Sequence, residues 1–245
     1  MMFLNTYEDT TRAAAYDELG HGGTYHLIFR DLPGILKDHV RGRRAVDFGC
    51  GTGRTARFLA GLGYRTVGLD ISPEMVSIAR DRDPDGDYRV IEDGEFSSLL
   101  QFGNDLVLSA FTFDNIPGHQ RKVKLFSGLR RLLHSGGRLV NIVSTPEIYT
   151  HEWATFSTVA YPENAAAQCG DVVRIITTDY SDNRPVDDIL WPEEAYRAVY
   201  REAGLEIVTT LRPLGREDEG IPWVSETEVA PWAIYVLKPA ALGRR

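Results

Sequence analysis

Apolar positions through the first two thirds of the chain fall in short runs, Ala45–Phe48, Tyr64–Asp70, Tyr88–Ile91, Asp105–Ser109 and Arg138–Val143, each reading as a strand. Between them lie stretches with helical character: Thr55–Ala60, a segment from Pro73 to Arg80 with Ser72 as N-cap and Pro73 in its first turn, and a basic helix ending near Leu132. Val/Leu-rich strands alternating with helices predict parallel strands covered by helices on both faces. Further on, Val172–Tyr180 reads as an inserted strand, Pro192–Ala203 as a late helix, and Leu205–Leu211 and Trp232–Leu237 as the last two strands. Ligands of such sheets sit at the carboxyl ends of the strands, where Asp47, Asp70, Asp93 and Ser109 all fall.

The first of these ends, Asp47-Phe48-Gly49-Cys50-Gly51-Thr52-Gly53-Arg54, carries the most chemistry. Glycines at alternate positions let a backbone adopt positive φ and approach a ligand closely. Gly51–Ala56 also satisfies a dinucleotide fingerprint, so the glycines alone suit two cofactor classes. Asp47 separates them, because a carboxylate beside the loop repels a pyrophosphate and attracts a cation. Asp70, about twenty residues on, is placed to accept hydrogen bonds from ribose hydroxyls in either class.

Four segments taken in order, Asp47–Gly53, Asp70-Ile71-Ser72-Pro73-Glu74-Met75, Glu92-Asp93-Gly94 and Asp105-Leu-Val-Leu-Ser109 followed by Asp114-Asn115, resemble the motifs of class I S-adenosylmethionine-dependent methyltransferases of the small-molecule type. Leu132-Leu-His-Ser-Gly-Gly-Arg-Leu139 is similar to that family's turn into the fifth strand, where glycines end a helix and reverse the chain. The resemblance implies a Rossmann-like α/β fold: a seven-stranded, mostly parallel sheet with helices on both faces, an antiparallel last strand, an N-terminal helical lid and an insert after strand five. It implies S-adenosylmethionine as cofactor, with Asp47, Gly49, Cys50, Gly51 and Gly53 around its methionine end. Asp70 then meets the ribose, Asp93 the adenine, and Ser109 lies in the segment that faces the transferred methyl, with Ile71, Met75 and Gly94 also among the cofactor-binding residues.

The expected organisation is one domain over 1–245: a lid (1–40), a cofactor-binding half (41–143), a substrate-pocket insert (144–191), and a closing helix and strands (192–245). The first part, with Tyr16 and Tyr25 around a Gly20-His21-Gly22-Gly23 break, reads either as a mobile lid or as a packing helix with a surface turn. Phe113, Trp153 and Trp223 join Tyr16 and Tyr25 as expected pocket walls, although buried aromatics are as readily core.

A chain of 245 residues, 43% of them hydrophobic, supports one substantial core without a second domain. A formal charge of −8 disfavours a nucleic-acid partner and points to a small-molecule substrate. The sequence carries neither a signal-peptide pattern nor an apolar run long enough for a bilayer, so a cytoplasmic protein without a membrane partner is expected. Two cysteines give no zinc spacing or disulfide framework, and Cys50 reads as packing.

Methyl transfer requires alignment of a nucleophile and, where needed, a base tuned near neutrality. His21, His26, His119 and His151 are the histidine candidates, of which His151 lies within the insert beside Glu152 and Trp153; His119 suits a surface or capping role better. Asp114-Asn115 suits either an acceptor-orienting pair or a turn cap. Catalysis is therefore assigned to His151, Asp114 and Asn115, and no metal is expected, since Asp114-Asn115 alone is too small a ligand set. The aromatic residues suggest an aromatic or heterocyclic acceptor. The competing readings are a nicotinamide-dependent oxidoreductase and a non-catalytic protein that retains the cofactor fold.

Overall fold

Seven strands form one sheet in the computed structural model, which describes residues 20–96, 103–179 and 184–241. In chain order the elements are α1 (His26–His39), β1 (Arg44–Phe48), α2 (Arg54–Gly61), β2 (Arg65–Asp70), α3 (Pro73–Arg82), β3 (Asp87–Val90), β4 (Asn104–Ala110), α4 (His119–Leu132) and β5 (Leu133–Ser144). Then come the insert strands β6 (Phe156–Ser157), β7 (Val172–Thr177) and β8 (Val186–Ile189), followed by α5 (Glu193–Glu202), β9 (Leu205–Leu211) and β10 (Trp232–Pro239).

The main sheet has the order β3-β2-β1-β4-β5-β10-β9. Strands β1 to β5 pair in parallel, whereas β10 runs antiparallel to both β5 and β9. An all-parallel dinucleotide-binding sheet continues with its sixth strand beside the fifth; here the last strand enters that gap in the opposite direction. The expected Rossmann-like α/β fold with an antiparallel last strand is thus the observed one.

The period of two along each strand builds two cores. Ala45, Leu106, Leu108, Val140, Ile142, Ile234 and Val236 face α1, α2 and the insert. Their sequence neighbours Val46, Val107, Leu139, Ala233, Tyr235 and Leu237 face α4 and α5. Both faces are apolar because both are covered, which is why the strands read as continuous hydrophobic runs.

Two local features depart from expectation, and a third bears on a choice left open. Helix α1 buries Leu27, Ile28, Phe29, Leu32, Ile35 and Leu36, so residues 26–39 pack as a helix against the core, the second of the two readings of the N-terminal part. Residues 1–19, including Tyr16, lie outside the described residues. Gly136 and Gly137 fall inside β5, not in a turn before it, and the pairing with β4 shifts register between Asn104 and Leu106. At Gly137 a Cβ would meet the Asn104 carbonyl oxygen at 2.8 Å, so glycine there allows the irregular strand to approach its neighbour. Finally, the inserted strand ends at Thr177 and belongs to a separate antiparallel sheet, β6-β7-β8. No helix among the described residues is long and apolar enough to cross a membrane.

Candidate functional site

The loop from β1 to α2 is held by the end of β2. Gly49 N and Cys50 N both donate to the Leu69 carbonyl, at 2.8 and 3.0 Å; Gly53 N donates to Cys50 O at 2.9 Å. Gly51 N donates to Asp70 Oδ2 at 2.8 Å, while Ser72 N donates to Asp70 Oδ1 at 3.0 Å. These amides therefore already have acceptors within the protein, and a carboxylate stands where a phosphate nest would need open donors. Gly49 has φ +72°, and a Cβ there would lie 2.1 Å from Thr112 Oγ1, whose hydroxyl donates to Phe48 O at 3.1 Å. The strand ends of β1 and β4 meet through that missing side chain.

Asp47 is buried in β1 beneath the loop. It accepts a hydrogen bond from the Ala56 N–H, but its Oδ2 has no hydrogen-bond partner among the described residues. Burial, reinforced by the charge of Asp70, pushes its carboxyl up to about 7; the Ala56 amide and Arg54 oppose the shift. Burial also raises Asp70, against the opposing effect of the Ser72, Gly51 and Ile71 amides. Two desolvated acids under a glycine cradle favour a cationic ligand over an anionic one.

One cavity runs from this loop across the carboxyl ends of β1 and β4 to the insert. At its loop end Gly49, Gly51, Asp70, Ile71, Met75 and Asp93 line the wall. Asp93, half exposed, pairs with Arg121 at 2.9 Å. At the far end Tyr25, Phe111, Phe156 and Trp232 form an aromatic wall. Phe111 packs on Trp232 with ring centroids 4.7 Å apart and on Tyr25 at 5.5 Å. Its φ of +64° is the one left-handed non-glycine conformation among the described residues, and such strain persists only where surrounding structure fixes it.

The floor of the far chamber is polar. Asp114 Oδ2 accepts from Ser144 N at 3.0 Å and from Ser144 Oγ at 2.9 Å. Asp188, brought by β8, accepts from Asn115 Nδ2 at 2.5 Å through Oδ1 and from the Tyr149 hydroxyl at 3.0 Å through Oδ2. Behind them Lys122 is fully buried; its ammonium donates to the Phe113 carbonyl and lies 4.9 Å from the Trp191 ring centroid. Burial raises both carboxyls and lowers the lysine, while their mutual attraction works the other way.

The cavity thus gathers Gly49, Gly51, Asp70, Ile71, Met75, Asp93, Asp114, Asn115 and Tyr25 from the residues singled out in the sequence. Others lie elsewhere. Cys50 packs with Ala56, Val76, Ala79 and Tyr88, and burial raises its thiol well above the ordinary range. Gly53 caps α2 in a left-handed conformation, Gly94 abuts Leu125 and Lys124, and Ser109 is buried inside β4. None of these four lines the cavity.

The assignments of His151, Phe113, Trp153 and Trp223 to the acceptor site are corrected by their positions. His151 Nδ1 lies 3.0 Å from Glu147 O and 3.2 Å from Thr150 Oγ1 on the outer side of the turn before β6. Trp153 is core, donating to Ile148 O; Phe113 stacks on Phe126 at 3.9 Å. Trp223 lies over Gly215 and donates to Arg216 O. Each satisfies a local backbone or packing requirement, which adjacency in sequence cannot reveal. The other candidate histidines are also peripheral: His21 packs at a tilt against Phe29, His26 faces Glu219 at 3.4 Å, and His119 faces Glu202 at 3.0 Å. Asp188, Ser144, Phe111, Phe156, Trp232 and Arg121 are among the cavity residues that sequence reasoning missed. Among the described residues, no group of three or more His, Cys, Asp and Glu could hold a metal ion.

Comparison with known proteins is consistent with this architecture. Residues 46–141 match a family model described as a methyltransferase domain. An uncharacterized methyltransferase of Bacillus licheniformis is 30% identical over 144 residues, covering 56% of this chain and 62% of that protein. The match therefore spans less than two thirds of that relative. The CcbJ methyltransferase of Streptomyces caelestis superposes with a TM-score of 0.66 at 18% identity, over 97% of this chain and 99% of that one. DesVI of Streptomyces venezuelae does so with a TM-score of 0.65 at 20% identity, over 94% and 98%. At these identities the two structures share the fold.

Proposed function

We propose that this chain is a class I S-adenosylmethionine-dependent methyltransferase, a reading supported by the methyltransferase-domain match at 46–141 and by the sheet order, and that it transfers the methyl group of S-adenosylmethionine to a small molecule bearing an aromatic or heterocyclic ring. One observation carries the reading: the loop amides of Gly49, Cys50, Gly51 and Gly53 are all engaged within the protein, that of Gly51 by the Asp70 carboxylate and the others by backbone carbonyls. A pyrophosphate would find few donors and the Asp70 carboxylate, with Asp47 buried beneath the loop. A sulfonium and an ammonium would find complementary charge. The Asp47 Oδ2 atom, buried without a partner, and the positive-φ glycine cradle both fit such a cofactor.

Gly49 and Gly51 border the methionine portion, Asp70 accepts the ribose hydroxyls, and Ile71 and Met75 flank the nucleoside. Asp93 stands at the adenine end with Arg121. When bound, the cofactor supplies an electrophilic methyl group on a positively charged sulfur. Tyr25, Phe111, Phe156 and Trp232 hold the acceptor ring and exclude water from the chamber. Asp114 and Asn115 orient the acceptor atom from the floor; alignment of this kind contributes several kcal/mol to a displacement.

The test is transfer of label from methyl-labelled S-adenosylmethionine to members of a small aromatic and heterocyclic library. Labelled product that disappears in Asp70→Ala supports the reading. Redox turnover with a nicotinamide cofactor, without methyl transfer, would replace it with an oxidoreductase.

A further inference from the structure

The acceptor chamber holds an excess of acid. Two buried carboxylates, Asp114 and Asp188, line the same cavity, and the charged group packed behind them is the ammonium of Lys122 on α4. Lys122 does not line the cavity; its ammonium is held by the Phe113 carbonyl and the rings of Trp191, Tyr196 and Phe113. Each carboxylate is fixed by neutral donors, Asp114 by Ser144 of β5, Asp188 by Asn115 and Tyr149. Asp187, which precedes Asp188 on β8, is half exposed and paired with Arg174 at 2.9 Å, so the acid of the chamber is Asp114 and Asp188. Arg121, the cation that does line the cavity, is paired with Asp93 at the other end.

We propose that Asp114 and Asp188 make this chamber a site for a cationic amine, so that the methyl acceptor is the nitrogen of a small ring-bearing amine. The inference rests on the methyl-transfer reading for its chemistry but on the chamber alone for its ligand.

Several features converge on an amine. An ammonium supplies the positive charge that two desolvated carboxylates lack, and three N–H donors for lone pairs that Ser144, Asn115 and Tyr149 leave open. A neutral hydroxyl supplies no charge. A carboxylate or phosphate acceptor would meet like charge at low dielectric. Independently of the acids, Phe111, Phe156 and Trp232 line the same cavity with Tyr25, whose ring stacks on Trp232 and already carries the Arg54 guanidinium 4.5 Å from its centroid; aromatic surroundings of this kind hold an organic cation. Phe111, which packs in that wall on Tyr25 and Trp232, has a left-handed backbone.

The proton inventory closes. An ammonium must lose one proton before its nitrogen has a lone pair, and a carboxylate raised by burial accepts that proton near neutrality. The nitrogen then forms the N–C bond as the C–S bond breaks, and the bonding pair returns to sulfur. The positive charge of the sulfonium ends on the methylated nitrogen. The carboxylate releases its proton to solvent, so each turnover frees one proton.

Calorimetric titration of the full chain, with and without saturating S-adenosylhomocysteine, separates the possibilities. The probes are 2-phenylethylamine, tryptamine and histamine, each paired with the alcohol in which hydroxyl replaces the amine. At least one amine is expected to bind tenfold or more tightly than its alcohol. In Asp188→Asn and in Asp114→Asn the preference should fall below threefold, with S-adenosylhomocysteine affinity within threefold of the parent. Asparagine at either position retains hydrogen-bonding capacity, and the retained cofactor affinity reports an intact fold. Absence of any amine preference, or a preference that survives both substitutions, overturns the proposal. Failure of S-adenosylhomocysteine to bind the parent chain overturns the cofactor reading instead, and the amine arm is still read from the titrations without it.

Discussion

The Asn115 side-chain amide donates to Asp188 Oδ1 across 2.5 Å, joining the turn after β4 to strand β8 of the insert over a separation of 73 residues. The same amide reaches the Asp187 carbonyl at 3.2 Å. The insert is therefore joined to the carboxyl end of β4 through a polar contact between two cavity residues.

Asn115→Ala removes that contact and leaves a buried carboxylate with one donor fewer. A cost of about 1–3 kcal/mol is expected, seen as a melting point lower by several degrees. The functional effect should fall on the acceptor: a KM raised about tenfold, with S-adenosylhomocysteine affinity within about twofold. Equal losses for both ligands would mean that Asn115 supports the cofactor half as well.

Gly49→Ala tests the close approach of β1 and β4. The new methyl group would meet Thr112 Oγ1 at 2.1 Å in a left-handed backbone conformation. We expect about 1–3 kcal/mol of destabilisation and loss of measurable cofactor binding. Because the clash is with Thr112, the double variant Gly49→Ala/Thr112→Ser, which keeps the hydroxyl, should remain impaired; normal binding in either variant would contradict the packing described.

Glu226 is fully buried in the connector between β9 and β10 and joins three segments. Its Oε1 accepts from Thr24 Oγ1 at 2.7 Å and Ala154 N at 2.8 Å, and its Oε2 from Val224 N at 2.9 Å. Glu226→Ala leaves these donors unmatched and should cost roughly 2–4 kcal/mol. Glu226→Gln keeps one acceptor and should lose less. Limited proteolysis of Glu226→Ala is expected to cut first within the insert; a protease pattern like the parent's would show that Glu226 is not the tie.

These relationships mark how far the sequence could be read. The parallel half was legible because each strand shows both faces as apolar and each turn carries its own chemistry: Ser72 accepts from Met75 N at 3.2 Å as an N-cap does, and the glycines of 49–53 all take positive φ. The direction of Trp232–Pro239 followed from family resemblance and not from periodicity. The acceptor end was less legible because it is assembled by long-range contacts. Asp188 sits in a short strand whose alternation says nothing about which cavity it faces, and Phe111 reaches its wall through a backbone strain without a sequence signal. His151 stands out in sequence for its neighbours Glu152 and Trp153, and Trp223 as an aromatic in an acid-rich loop, yet each is used by the backbone near it.

The acid beneath the glycine loop makes a pH prediction. Asp47 is pushed up to about 7, whereas the unfolded chain releases that proton near the reference value of 3.8. Between those values the folded state holds a proton that the unfolded state has lost, so stability is greatest below the lower value and falls as pH rises towards 7. The decline amounts to up to about 4 kcal/mol. Asp114 and Asp188 shift in the same direction, so Asp47→Asn should flatten the decline of melting point between pH 5 and 8 without abolishing it. An unchanged slope would mean that Asp47 is ionised throughout.

The central claim is that an acid-bearing glycine loop accommodates a cationic nucleoside cofactor. Calorimetric titration of the full chain with S-adenosylmethionine and with NAD at the same pH and salt tests it most directly. Micromolar binding of S-adenosylmethionine, weakened tenfold or more by Asp70→Ala, with NAD at least a hundredfold weaker, is the predicted result. Micromolar binding of NAD with no response to S-adenosylmethionine would contradict the account.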